Sequence, residues 1–287
     1  MRRSWAWLGI MIVCCTLGVT LPAQAVSLTF VTIDVPGVAA TSASGINAAG
    51  QIVGVFWDVS GKTHGYLRIA ESTFTTIDPP GSTATLATGI NAAGQIVGSF
   101  RDAGGKFHGF LRTSAGTFTT LDVPKARGTG AAGINTAGQI VGVFNDAGGK
   151  THGYLRTSGG TFTTFDVPGA MATFAYGIND SAEIVGEVAD AGFLRTAGGT
   201  FTTIDVPGAA WTDAAGINDA GQIVGEFKDA DNKTHGYLRT SEGTFTTFDP
   251  PGSTGTSTNG INAAGQIVGS FRDAGGKEHG YIATPTP

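Results

Sequence analysis

Cysteine is nearly missing from this sequence. Cys14 and Cys15 are the two present in 287 residues, and both fall in an N-terminal stretch that reads as a removable leader. A chain processed there is expected to hold no disulfide, no thiolate metal site and no cysteine nucleophile. No small residues of lipobox type precede either cysteine, so a lipid anchor is not expected. Charge is sparse too, at 14% of residues with a formal net charge of −5. No basic run concentrates it, which argues against nucleic acid as a partner. Outside the N-terminus no apolar run is long enough to span a bilayer. Sustained helical periodicity is also missing, because glycines and turns interrupt every candidate segment. The chain has no GxSxG elbow, HExxH, Walker loop or dinucleotide fingerprint in a fitting context.

The leader itself has three recognisable parts. Arg2 and Arg3 form a positive start, Trp5 to Leu21 an apolar run, and Ala23-Gln24-Ala25 a small-x-small cleavage site. Residues 1–25 therefore read as a signal peptide and 26–287 as one secreted domain, periplasmic or extracellular, with no membrane association after cleavage. The paired arginines admit a twin-arginine route, and an uncleaved anchor is the alternative.

What is abundant is repetition, with 46 glycines distributed through it. GINAAGQIVG occupies Gly45 to Gly54 and recurs at Gly89–Gly98 and Gly260–Gly269, with near copies starting at Gly133, Gly177 and Gly216. Cassettes begin at Thr29, Thr73, Thr117, Thr161, Thr200 and Thr244, at intervals of 44 residues except for one of 39. Each opens with a TFTTIDVPG-like run, whose aromatic and β-branched residues favour a strand and whose proline ends it. A variable run leads to Gly-Ile-Asn. The chain then turns, runs as QIVG, turns at a DAGGK-like sequence and returns as HGYLR or HGFLR. The turns share one grammar, a side-chain acceptor first and glycine fourth, as in Asn47-Ala48-Ala49-Gly50. A type I turn followed by a left-handed residue needs that order. Asn232 and Ala182 stand where other copies have the glycine.

Three hairpins joining four short strands cannot bury both faces alone, so the copies must stack. Four-stranded units at this period predict an all-β, six-bladed β-propeller. A β-solenoid is the alternative. The ends of the chain supply the closure. An orphan fourth strand, Leu28 to Asp34, precedes the first complete blade, and the last cassette stops after its third strand, His279 to Ile282. Pairing the two would complete six blades and remove a sheet edge.

GINxxGQIVG followed by a His-Gly-aromatic-Leu strand resembles the bacterial extracellular repeats called the HAF type, from Thr29 to about Ile282. The strand HGYLR or HGFLR departs from that family's HAFL. The resemblance implies a secreted repeat protein of propeller-like fold. It implies no activity and no catalytic residues, since none is established for that family.

Four sets of residues could carry chemistry. His64, His108, His152, His235 and His279 each follow an aspartate by six residues (Asp58, Asp102, Asp146, Asp229 and Asp273) and are read as hairpin braces rather than metal ligands. The once-per-blade Arg68, Arg112, Arg156, Arg195 and Arg239 are read as packed stems. Turn aspartates do not cluster enough oxygens for calcium. Neither a metal nor another cofactor is expected. Glu183, Glu187 and Glu226 replace Gln, Val or Ser of other copies, and would be the first carboxylates to consider for polysaccharide hydrolysis or lysis.

The run before Gly-Ile-Asn varies most, apart from one threonine in each copy: Thr41, Thr85, Thr129, Thr173, Thr212 and Thr256. Within it Lys125, Arg127, Phe174, Tyr176, Trp211 and Asp213 are peculiar to single copies. In a propeller these connections cross one face toward the channel mouth. Aromatics beside polar groups there suit a sugar or peptide. The sequence thus reads as a monomeric, non-catalytic binding module for a glycan or an envelope or extracellular protein. A polysaccharide-acting enzyme and a purely structural envelope protein are the alternatives.

Overall fold

The computed structural model describes residues 27–286; the signal peptide read at 1–25 lies outside them. Among the described residues there is no helix, and so none long and apolar enough to cross a membrane. The strands form six antiparallel sheets that follow one another around a central channel. The chain is a six-bladed β-propeller.

The first complete blade shows the pattern. Its strands are Ala40–Ile46, Ile52–Trp57, Thr63–Ala70 and Thr73–Ile77, paired in sequence order. The Ala40–Ile46 strand and its counterparts touch their equivalents in the next blades and line the channel. The TFTT strand is outermost. Closure runs as the orphan strand requires. Leu28–Ile33 pairs antiparallel with Glu278–Pro285, from Leu28 opposite Pro285 to Ile33 opposite Gly280, and becomes the outer strand of the last blade.

Two glycines of the repeat explain why the motif is so strict. A Cβ on Gly45 would lie 2.8 Å from the Thr88 carbonyl oxygen of the next blade. Removing that atom lets neighbouring inner strands approach around the channel. A Cβ on Gly54 would overlap the Ser42 carbonyl and the ring of Tyr66. The notch left there accepts the fully buried Tyr66, and the same notch holds Phe110, Tyr154, Phe193, Tyr237 and Tyr281 in the other blades.

Six apolar clusters lie between adjacent blades. One joins Val97 and Leu121 of the second blade to Ile134, Ile140, Phe144 and Tyr154 of the third. Another joins Ile33 and Val268 of the closing blade to Ile46, Ile52 and Tyr66 of the first. Each blade face is thus covered by its neighbour, and the core is a ring rather than a centre.

Asparagines close the ring on the turn side. Asn47 Nδ2 donates to the Asn91 carbonyl at 3.1 Å, Asn91 to Asn135, Asn135 to Asn179, Asn179 to Asn218, Asn218 to Asn262, and Asn262 back to Asn47. Each Nδ2 also donates to the residue four places on, Gln51 in the first blade, whose backbone N–H returns a bond to Oδ1. In the fourth blade that partner is Glu183, at 2.8 Å from Asn179. Glu183 therefore belongs to this latch. Ala182, in the glycine position of the same turn, holds φ at 57°, a strained setting for a residue with a Cβ.

Candidate site at the channel mouth

The DVPG connections and the DAGGK hairpins share the opposite face of the ring. Histidines organise its rim. His108 Nδ1 lies 2.9 Å from Asp122 and Nε2 3.2 Å from Asp102. His64, His152, His235 and His279 are held in the same way, the last by Asp34 of the closing strand and Asp273. Each ring stacks on a phenylalanine, as His64 does on Phe56 with centroids 5.0 Å apart. The hairpin aspartate was legible from its fixed spacing, whereas the second partner, fourteen residues downstream at the end of the outer strand, was not. The histidines brace the blades. The arginines do so on the turn side, with Arg156 lying 5.7 Å from the Phe162 ring centroid and donating to the Thr157 carbonyl.

The constant threonine of the variable run is also structural. Thr41, Thr129, Thr173 and Thr212 are buried and accept a bond from the backbone N–H of Val35, Val123, Val167 and Val206. Where proline replaces that valine there is no N–H to give. Thr85 then donates to Ser82, and Thr256 to Asp249.

The channel wall is made by a feature the sequence reading missed. In five inner strands the pairing register shifts just before the Gly-Ile-Asn glycine, as between Ala43 and Gly45. Such a bulge leaves one residue unpaired and re-aims its side chain. Ser44, Thr88, Ala132, Tyr176 and Asn259 occupy that place, with Ala215 as the counterpart in the fifth blade, and all six line the channel. Unlike the flanking motif, this position differs in almost every blade. The signal available in the sequence was that variability immediately before an invariant Gly-Ile-Asn.

At the connection face the channel opens into a cavity of about 290 Å³ lined by Ser42, Ser44, Thr88, Ala132, Tyr176, Asp213, Ala215 and Asn259. Its most distinctive sector is contributed by the fourth and fifth blades. Tyr176 Oη and Trp211 Nε1 each donate to Glu187, both at 2.9 Å, one to each carboxylate oxygen. Phe174 stacks beside Tyr176, with centroids 6.4 Å apart. Lys228 Nζ lies 5.7 Å from the Trp211 ring centroid.

Asp213 breaks the inner strand of the fifth blade. Its N–H donates to the Glu226 carbonyl at 3.0 Å, but the Glu226 N–H donates to Asp213 Oδ1, at 2.7 Å, where a ladder would use a backbone carbonyl. The strand accordingly survives as two pieces, Trp211–Thr212 and Gly216–Ile217. Enclosure in the channel wall raises the Asp213 carboxyl well above the ordinary range, and the charges of Glu226 and Glu187 add to this. Burial raises Glu226 as well, against the opposing influence of Ser257 and Lys228. Burial, then Glu187, raises the Tyr176 phenol.

Of the residues singled out in the sequence, Tyr176 and Asp213 line the cavity, and Trp211 and Phe174 flank them. Glu187 and Glu226 join this sector, while Glu183 sits in the asparagine latch on the turn side. Lys125 and Arg127 lie elsewhere. Arg127 borders a groove between the second and third blades, with Lys106, Phe107 and Asn145. Lys125 is exposed and takes φ of 66° in the glycine place of its connection. Among the described residues no group of three His, Cys, Asp or Glu side chains is arranged to hold a metal ion.

No family model and no curated protein matches this sequence. Solved structures do match. A gluconolactonase from Xanthomonas campestris is 12% identical over 91% of this chain and 91% of its own, with a TM-score of 0.57. The Aleuria aurantia lectin in complex with Fucα1-6GlcNAc is 15% identical over 87% of this chain and 97% of its own, with a TM-score of 0.52. A catalytically inactive virginiamycin B lyase from Staphylococcus aureus is 15% identical over 91% and 89%, with a TM-score of 0.51. At these identities the likeness is one of fold: the chain belongs among the β-propellers by architecture.

Proposed function

We propose that this chain is a secreted, non-catalytic carbohydrate-binding propeller that receives the end of a glycan in the channel mouth. The observation that carries the reading is the cavity wall itself. Ser42, Ser44, Thr88 and Asn259 offer hydroxyl and amide groups, Tyr176 an aromatic flank and Asp213 a carboxyl, around a space of about 290 Å³. That mixture suits a polyhydroxylated ring, whose faces are apolar and whose edges are polar. It is also the part of the blade that the fold leaves free to vary.

Catalysis by two carboxyl groups requires both to face the reacting bond. Here Glu187 is occupied on both oxygens by Tyr176 and Trp211, and among Glu187, Glu226 and Asp213 the cavity is lined by Asp213 alone. The arrangement favours binding over hydrolysis or lysis.

A glycan array followed by titration calorimetry on the best ligand tests the proposal, with Ala132→Phe as the comparison. The new ring would occupy the cavity without opening a core. The proposal requires a saccharide hit, and its loss in Ala132→Phe at unchanged melting temperature. Undiminished binding in that variant would place the site elsewhere. Absence of any saccharide hit, with a protein captured instead, would overturn the carbohydrate reading.

A further inference from the structure

The channel mouth is one-sided in charge. Asp213 approaches it on the inner strand of the fifth blade, Glu226 on the next strand, and Glu187 on the neighbouring blade. No arginine or lysine forms an ion pair with any of the three among the described residues. Lys228 is held against the ring of Trp211. Asp213 Oδ1 is fixed by the Glu226 N–H. Its other oxygen receives no hydrogen bond from the described residues, and the half-buried side chain lines the cavity. Behind it, Glu226 Oε2 is buried without a partner. A buried acceptor left unpaired, as Glu226 Oε2 is, costs on the order of 1–3 kcal/mol; the unpaired Asp213 oxygen is the one on the residue that lines the cavity.

Resting on the carbohydrate reading of this cavity, we propose that the group it selects is a protonated amine, as on a de-N-acetylated amino sugar. Hydroxyl and amide groups from Ser42, Ser44, Thr88 and Asn259 would meet the sugar hydroxyls, and the free Asp213 oxygen would accept from the ammonium. An ammonium brings three donors and a positive charge to a place that lacks both.

A protonic signature follows. The groups around Asp213 are Glu226 and Lys228 on the adjacent strand, Tyr237 on the strand beyond, Tyr176 and Glu187 on the fourth blade, and Glu278 beside Glu226. Enclosure in the channel wall, and then the charges of Glu226 and Glu187, disfavour ionisation of Asp213 in the empty cavity, and an ammonium favours it. Binding should therefore release a proton from Asp213 to the buffer, while the ligand keeps its own. Affinity should rise with pH until the ligand amine itself deprotonates.

The test is titration calorimetry with a glucosamine oligomer, its N-acetylated counterpart and ethanolamine, each in two buffers of different ionisation enthalpy. The glucosamine oligomer should bind at least tenfold tighter than the N-acetylated one, with proton release, and Asp213→Asn should remove that preference. Asparagine retains Oδ1, so the contact with the Glu226 N–H survives. Should that variant fail to fold, the proton release and pH trend of the unmodified protein decide the matter. Equal or tighter binding of the N-acetylated oligomer would overturn amine selection and leave the carbohydrate reading intact. Binding of ethanolamine equal to that of the oligomer would keep amine selection and remove the sugar. No binding by any of the three would remove both.

Discussion

Asn47 and its five counterparts each do three jobs with one side chain. The oxygen caps a turn, the amide grips a glutamine or glutamate, and the same amide reaches the next blade. All six are buried. Replacing Asn91 by alanine would strand the Gln95 amide and the Asn135 carbonyl together, with a cost of about 2–3 kcal/mol when lost bonds near 1 kcal/mol each are combined. Urea denaturation of Asn91→Ala should show that loss, and Gln95→Ala a smaller one. Indistinguishable curves would mean that the ring of amides is decorative. The fixed motif made these residues visible in the sequence, but their bond to a chain neighbour some 44 residues away was not. Spacing within a cassette reports contacts inside the blade, whereas this contact joins two blades.

At the scale of the hairpin, His235 is clamped between the carboxylates of Asp249 and Asp229. Burial works against the charge on His235, but its bonds to Asp249 and Asp229 outweigh this and raise it above the ordinary 6.5. Its contribution is complete below 6.5 and is lost as pH rises through the raised value. The hairpin aspartates move the other way. The Ser60 hydroxyl and then the Lys62 N–H bring Asp58 from 3.8 to about 2, so its contribution is present above 3.8 and disappears as pH falls toward 2. Buried Asp213 and Glu226, both raised, oppose folding increasingly as pH climbs past their ordinary values. The melting temperature should therefore be highest in weakly acidic solution and decline toward alkaline pH. Asp213→Asn and His235→Gln should each flatten that alkaline decline; a decline identical in both variants would contradict the assignment. The fourth blade lost this clamp with its shortened hairpin, and its Asp205 accepts from Thr212 instead.

The whole molecule depends on one pairing that spans the chain ends. Ile33 is 2% exposed and packs into the cluster between the last and first blades, while Phe30 meets Phe248 and Tyr281. Burying aspartate in place of Ile33 would remove roughly 2 kcal/mol of apolar burial and add an unpaired charge. Ile33→Asp should therefore lower the melting temperature far more than Val31→Asp, whose side chain on the same strand is 50% exposed. Equal effects would mean that the closing strand contributes little. This architecture was legible in the sequence because period, turn grammar and the orphan strand all constrain it. The site was legible only in part. Tyr176, Trp211 and Asp213 stood out as departures from the repeat, but Lys125 and Arg127 did so equally and lie away from the cavity. Departure from a pattern marks freedom to vary; only the bulge geometry shows which free positions face the channel.

The most direct measurement is a crystal structure of the protein soaked with the best glycan-array ligand. The account predicts ligand density in the channel mouth, against Tyr176 and the free oxygen of Asp213. Density confined to the groove beside Arg127 and Lys106, or to any other surface, would contradict it.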